Sequence, residues 1–195
     1  MKTKLLAVLV AVMLVSVASA GVITAFPDVL DFEGLPEGFI GGGYGDMTWD
    51  GNLYALNGDT YGTDSGYKVM GSMVAINGFE ATPTYFQSMD GTEFDVLSLD
   101  FIAAWYTELT YTVNGYRDGG LEYSKDLTVD CFNVTTFDLN FSQVDKLEFV
   151  FKSSNYIVGW DGGSGAHFSL DNIVLVPAPA AFGLLGLGLL GRRRR

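Results

Sequence analysis

Through the middle of the chain, apolar and polar residues alternate with a period of two. Leu97, Leu99, Phe101, Ala103 and Trp105 interleave with Ser98, Asp100, Ile102 and Ala104, the pattern of a strand buried on one face. Leu109, Tyr111 and Val113 repeat it against Thr110, Thr112 and Asn114. After Asp118-Gly119-Gly120, the segment Leu121 to Val129 is rich in Thr, Tyr and Val, so 109–117 and 121–129 are predicted to form a hairpin over a glycine turn. Thr136 to Phe141 and Lys146 to Phe151 read as a further strand pair, and His167 to Val176 as the last strand. Asp171-Asn172 interrupts the apolar run of that last strand, the mark of a bulge or of a placed polar pair. The first half is punctuated by Gly41-Gly42-Gly43, Asn57-Gly58, Gly62, Gly66, Gly71 and Asn77-Gly78, which predicts short strands between turns. Between the two ends of the chain no long window has helical periodicity. Strands spaced about ten residues apart imply an all-β fold, an antiparallel β-sandwich of jelly-roll type, with a closed barrel as the second reading.

The two ends follow other rules. Met1-Lys2-Thr3-Lys4 is basic, Leu5 to Val17 is apolar without a break, and Ala18-Ser19-Ala20 fits the small-x-small rule. This is a secretory signal of residues 1–20, expected to pass the Sec translocon and to be cut between Ala20 and Gly21. At the other end, Ala180 to Gly191 is 12 uncharged residues carrying Phe182, Leu184, Leu185, Leu187, Leu189 and Leu190, followed by Arg192, Arg193, Arg194 and Arg195. Alone it is shorter than the roughly 20 residues a spanning helix needs. With Val174 to Pro179 added it makes a marginal span, anchored on the cytoplasmic side by the arginines.

The order Val176-Pro177-Ala178-Pro179, then a Gly-Leu apolar segment, then four arginines, resembles the PEP-CTERM sorting signal of Gram-negative bacteria, with Ala178 where that family usually has Glu. The resemblance implies processing at this box by a membrane-embedded exosortase. It implies transient inner-membrane anchoring and a destination at the cell surface or in the extracellular, biofilm-type matrix. The chain then divides into signal 1–20, sandwich 21–175 and sorting signal 176–195. The body also resembles the soluble part of other PEP-CTERM proteins: Asp31-Phe32-Glu33-Gly34 opens it and Leu170-Asp171-Asn172-Ile173 closes it. It is similar in this to sandwiches of the galactose-binding or carbohydrate-binding-module kind.

Charge sharpens the picture. The formal net charge is −12. Six of the 11 basic residues lie in the two ends, which leaves Lys68, Arg117, Lys125, Lys146 and Lys152 against all 23 acidic residues, a net of −18 for the body. Such a body is unsuited to nucleic acid or anionic headgroups, whose phosphates need a basic patch. Cys131 is the lone cysteine, so no internal disulfide forms. It reads as a small buried hydrophobe, with a reactive thiol as the alternative. His167 is the lone histidine, and no Gly-x-Ser-x-Gly elbow accompanies it.

Two candidate sites emerge. Asp171, with Asp31 or Glu33 from the opening strand, offers hard carboxylate oxygens for a structural Ca²⁺ where first and last strands meet; the other reading is that Asp171 and Asn172 cap backbone groups at the sheet edge. The aromatic side chains Trp49, Tyr54, Tyr61, Tyr67, Trp105, Tyr116 and Trp160 lie in or beside Gly/Asp/Asn-rich stretches and suit stacking on sugar rings. Trp105 ends a core face; Trp49, and Trp160 with Asp161, sit beside turn residues and are expected to be exposed for a ligand. Asn133-Val134-Thr135 and Asn140-Phe141-Ser142 are incidental sequons. Three functions fit: a non-enzymatic exported protein whose sandwich binds extracellular polysaccharide or matrix partners, a glycosidase or polysaccharide lyase with paired carboxylates, and a structural subunit assembling through sheet edges.

Overall fold

The glycine turn closes as the sequence predicts. In the computed structural model, which describes residues 29–158 and 163–178, Asp118 and Gly119 have φ of 50° and 78°, the two left-handed residues that a two-residue hairpin turn requires. They join β8 (Leu109–Arg117) to β9 (Gly120–Val129). Around this hairpin lie β1 (Val29–Leu30), β2 (Gly38–Phe39), β3 (Met47–Trp49), β4 (Leu53–Asn57), β5 (Met73–Asn77), β6 (Thr84–Ser88) and β7 (Phe94–Ala103). The remaining strands are β10 (Thr135–Val144), β11 (Lys146–Ser154) and β12 (Phe168–Pro177), with one short helix, α1 (Gly66–Met70). Every strand pairing among the described residues is antiparallel. The first sheet runs β10-β7-β12-β5-β4-β2 with β1 added on β12, and the second runs β3-β6-β11-β8-β9. Two sheets with one core between them make a sandwich, not a closed barrel. The predicted signal and C-terminal apolar helices lie outside the described residues.

The core is aromatic and crosses the sheets. Phe101 and Phe168 come from the first sheet, Tyr111 and Phe149 from the second, and all four are fully buried. Ring centroids are 4.9 Å apart for Phe101–Phe168 and for Tyr111–Phe168, and 6.1 Å for the stacked Phe101–Phe149 pair. Cys131 is buried with them, and burial pushes its thiol up to about 11, so it stays a protonated hydrophobe.

Three sequence expectations are corrected. Residues 136–141 and 146–151 do form strands, but they do not pair with each other. β10 pairs with β7 in the first sheet, and β11 pairs with β6 and β8 in the second. Only Asp145 separates them, and it carries the chain across the sandwich rather than around a hairpin. Leu97 is 39% exposed instead of facing the core: β7 changes phase between Val96 and Leu99, where both neighbouring strands shift register. Trp105 is buried, but outside the main core. It packs with Tyr67, Val74, Ile76 and Ala104 on the outer face of the first sheet, because the chain has already left β7.

That outer cluster is held down by α1. Ser65 caps the helix by accepting from the Lys68 amide at 3.3 Å, and Gly71, at φ 78°, ends it. Gly66 presses on the sheet so closely that a Cβ there would stand 1.8 Å from the Ala103 carbonyl oxygen. Only glycine permits this contact.

One buried amide ties the layers together. Asn77, fully buried at the end of β5, has Nδ2 within 3.1 Å of Tyr111 Oη and of the Ala166 carbonyl and 3.3 Å of the Ala81 carbonyl. Its Oδ1 accepts from the Phe168 amide at 2.8 Å, and its carbonyl lies 2.8 Å from His167 Nδ1. Tyr111 Oη completes the set by donating to Ala166 at 2.6 Å. Asn77→Ala strands the Phe168 amide in an apolar interior, so we expect a loss of about 2–4 kcal/mol. Urea unfolding followed by tryptophan fluorescence checks it: the midpoint falls while the slope m is unchanged.

Candidate functional site

Three neighbouring strands of the second sheet share one pattern. β6 buries Thr84, Phe86 and Ser88 and turns Tyr85 and Gln87 outward; β11 buries Leu147 and Phe149 and turns out Lys146 and Glu148; β8 buries Val113 and Gly115 and turns out Asn114 and Tyr116. Register aligns them. Lys146 stands opposite Gln87 on one side and Tyr116 on the other, and Glu148 opposite Tyr85 and Asn114. The period of two thus sets six polar and aromatic side chains in two adjacent rows on one face.

These groups are tied together. Lys146 Nζ lies 2.9 Å from Glu148 Oε1 and sits over two rings, 4.5 Å from the Tyr85 centroid and 4.8 Å from that of Tyr116. Tyr116 Oη donates to Glu148 Oε2 at 2.8 Å. Desolvation pushes the Glu148 carboxyl up, but the Lys146 and Tyr116 hydrogen bonds outweigh it and hold the group below the usual carboxylate range. The same carboxylate, and then burial, raise the Tyr116 phenol, which therefore stays a hydrogen-bond donor.

The Gln87–Lys146–Tyr116 row opens into a groove of about 520 Å³ at one end of the sheet, with the Tyr85–Glu148–Asn114 row beside it. Its walls rise from Met89 and Gly91 after β6, Asp118 and Gly119 of the hairpin turn, and Asp145 between β10 and β11. The walls are fixed by backbone bonds: Asp118 N–H donates to Asp145 Oδ2 at 2.7 Å, Asp145 N–H to the Tyr116 carbonyl at 2.8 Å, and Ser88 N–H to the Asp145 carbonyl at 2.9 Å. What this surface offers is an ammonium, a carboxylate, two side-chain amides and two tyrosine rings with their phenol hydroxyls, held in register and reached by solvent.

The sites expected from the sequence fare differently. Trp49 is a correction: it is 6% exposed, its indole N–H donates to the Tyr44 carbonyl at 2.9 Å, and its ring packs on Phe32, Tyr44 and Phe86. Met47 and Trp49 share the inward face of β3, and this outweighs the turn that follows. Trp160 and Asp161 lie outside the described residues, as do Ala18, Ala20, Gly21, Pro179 and the anchor residues from Ala180 to Arg195. Val176 and Pro177 belong to β12, opposite Asp95 and Phe94, and the Ala178 amide donates to the Glu93 carbonyl at 3.3 Å. Among the described residues no helix is long and apolar enough to cross a membrane.

For calcium the carboxylates are near one another but do not converge. Asp31 Oδ1 accepts from the Glu33 amide at 3.1 Å, Glu33 Oε1 from the Met73 amide at 3.2 Å, and Asp171 Oδ1 from the Asn172 amide at 2.8 Å. Among the described residues no three acidic, His or Cys side chains form a metal-holding group. The three serve the backbone instead. Tyr85, Lys146, Glu148 and Gln87 were missed because no motif marks them; the signal was the outward dyads Tyr85/Gln87, Asn114/Tyr116 and Lys146/Glu148, but which strands adjoin is not written in any one of them.

No family model and no curated protein matches the chain. Among solved structures it is similar to an exo-β-agarase, at 10% identity and TM-score 0.42 over 77% of this chain and 25% of that one. It is also similar to a xylan-binding domain from CBM 22, at 15% identity and TM-score 0.41 over 80% of this chain and 97% of that domain. A CBM4 structure matches at 9% identity and TM-score 0.30 over 64% of this chain and 86% of that one. The chain spans about a quarter of the length of the agarases it matches.

Asp171 gives a pH prediction. It is 6% exposed; burial, with Asp100, Asp31 and Glu33 adding repulsion, pushes its carboxyl up to about 7 against the Asn172 amide bond. The folded state keeps a proton that the unfolded chain gives up near its ordinary value. The contribution of this group is therefore fully present below about pH 4 and lost as pH rises through about 7, on the order of 2–4 kcal/mol. Asp171→Asn should flatten that slope and raise the urea midpoint at pH 8.

Proposed function

We propose that this protein is a non-catalytic polysaccharide-binding sandwich of the bacterial exterior, with the outward face of β6, β11 and β8 as its binding surface. The observation that carries the reading is Lys146 lying over the Tyr85 and Tyr116 rings, with Lys146 and Tyr116 bonded to Glu148, beside an open groove. Aromatic rings suit the apolar faces of sugars, while a preorganised set of donors and acceptors suits their hydroxyls. The crossings of the chain between the two sheets at every step from β6 to β12 except the β8–β9 hairpin support a jelly-roll arrangement.

The glycosidase reading is weaker at this face. Sugar transfer needs one carboxylic acid that keeps its proton near neutral pH beside an ionised partner. Beside the groove, the hydrogen bonds from Lys146 and Tyr116 hold the Glu148 carboxyl below the usual carboxylate range. The carboxyl that is raised, Asp171, belongs to the other sheet.

Export and sorting complete the proposal. The signal at 1–20 directs the chain through the Sec translocon, and the Val176 to Pro179 box with the segment 180–195 addresses it to an exosortase, from transient inner-membrane anchoring to the cell surface or matrix. Because β12 runs through Pro177, a cut beyond Ala178 leaves the sheet whole.

Two measurements test this. Tyr85→Ala and Tyr116→Ala in the full chain should each weaken retention on a bound polysaccharide about tenfold, roughly 1.4 kcal/mol, with thermal midpoints within about 2 °C of the parent. Unchanged retention in both would place the binding surface elsewhere. Intact mass spectrometry of protein from the native envelope and medium should find a species starting at Gly21 and lacking 180–195. A full tail retained in the membrane fraction would overturn the processing step.

A further inference from the structure

We infer that the groove selects uncharged polysaccharide and rejects acidic polymers, an inference that rests on the glycan-binding reading of this face. The body has five basic side chains, and each is already engaged. Lys68 pairs with Asp64, Arg117 with Glu122, Lys146 with Glu148 and Lys152 with Asp126, while Lys125 donates to the Asp138 carbonyl. Four of these charges are paired with carboxylates, and the fifth, Lys125, lies outside the groove, so among the described residues no unpaired cation lines the groove to meet the carboxylates or sulfates of an acidic polymer.

At the groove the balance is negative. Lys146 and Glu148 cancel at 2.9 Å, and among the described residues Asp118 and Asp145 in the walls have no cation bonded to them. An acidic sugar entering the groove beside Lys146 meets Asp118 and Asp145 in its walls and finds the ammonium already paired with Glu148. Removing Lys146 from Glu148 to serve a ligand carboxylate would leave Glu148 half-buried and uncompensated, so the exchange gains nothing.

A neutral sugar fits where an acidic one does not. Neighbouring ring hydroxyls present a donor and an acceptor side by side. The Lys146–Glu148 pair presents an ammonium donor and a carboxylate acceptor at matching separation, so both hydroxyls bond without breaking the ion pair. Because the bound ligand has no net charge, its affinity is insensitive to salt.

The test uses the detergent-solubilised full chain on immobilised neutral polymers (cellulose, xylan, mannan, agarose) and acidic ones (alginate, polygalacturonate, chondroitin sulfate) at low and high NaCl. The expected result is retention on one or more neutral polymers, changing less than twofold with salt, and at least tenfold weaker retention on every acidic one. Glu148→Gln, which frees Lys146, should lose neutral retention and gain acidic retention at least threefold at low salt. Retention on an acidic polymer by the parent chain, falling with salt, overturns the inference and leaves the glycan reading standing. Retention on no polymer overturns both. An acidic retention unchanged in Glu148→Gln overturns the assignment of the exclusion to this ion pair.

Discussion

The fold depends on satisfying one buried side chain. Asn77 sits where β5 ends, where the chain turns toward β6, where β12 begins and where β8 passes in the opposite sheet. Its side-chain amide, at the end of β5, bonds to each of the other three places. Aromatic packing gives the sandwich its cohesion but no fixed register, since rings slide on one another at little cost. The amide supplies what the rings lack: Phe168 can accept only one position if its N–H is to reach Asn77 Oδ1, and Tyr111 only one if its hydroxyl is to reach Ala166. Stacking of Phe168 on Phe101 and Tyr111 then follows from where the amide has placed it.

The closing motif shows what sequence could and could not disclose. Leu170 and Ile173 are both fully buried in the main core, yet residues three apart on a regular strand point to opposite faces. The bulge at Asp171-Asn172 resolves this. Asn172 takes φ 47°, which Asn tolerates better than other non-glycine residues, and its side chain bonds to Asp100 on β7. β10 solves the same problem with Asn140 and Gln143, at φ 54° and 55°, so that Leu139, Phe141 and Val144 all face inward. The Asp-Asn interruption and the Asp-Gly turn are local chemistry and were legible. The split of β10 and β11 between two sheets was not, because alternation tells which residues face in and says nothing of which strand lies alongside. The candidate face needs the register of three strands separated by up to about sixty residues, and Trp49 was misplaced because a turn signal next to a tryptophan was weighed above the Met47/Trp49 alternation on its own strand.

The two sheets divide the work. The outer face of the first is covered over β5: α1, seated by Gly66 against Ala103, packs over Val74, Ile76 and Trp105 with Tyr61 and Tyr67. A strand buried on both sides cannot present side chains to a ligand, and β5 is apolar nearly throughout for that reason. Among the described residues the second sheet has no such cover over β6, β11 and β8, and its outward positions there are polar or amphipathic. A partly buried ion pair is a costly feature on a surface that does nothing. Here Tyr116 and Lys146 satisfy both oxygens of Glu148, which makes the arrangement rigid enough to meet a ligand without reorganising.

The sheet edges separate a binding module from a self-assembling subunit. Strand addition needs a long, flat, unpaired edge. At one side of the sandwich the first sheet ends in β10, which two register shifts bend, and the second ends in β9, which is laced to β10 by Lys125 to Asp138 and by Tyr123 to Ser142. At the other side the edges are β2 and β3, of two and three residues, too short to template a partner. Bulges, a cross-laced lysine and truncated strands are the means by which sheets avoid edge-to-edge growth. Each edge formed by the described residues carries one of them, which weighs against edge-to-edge addition and favours the proposed sheet face, where side chains rather than backbone groups would make the contacts.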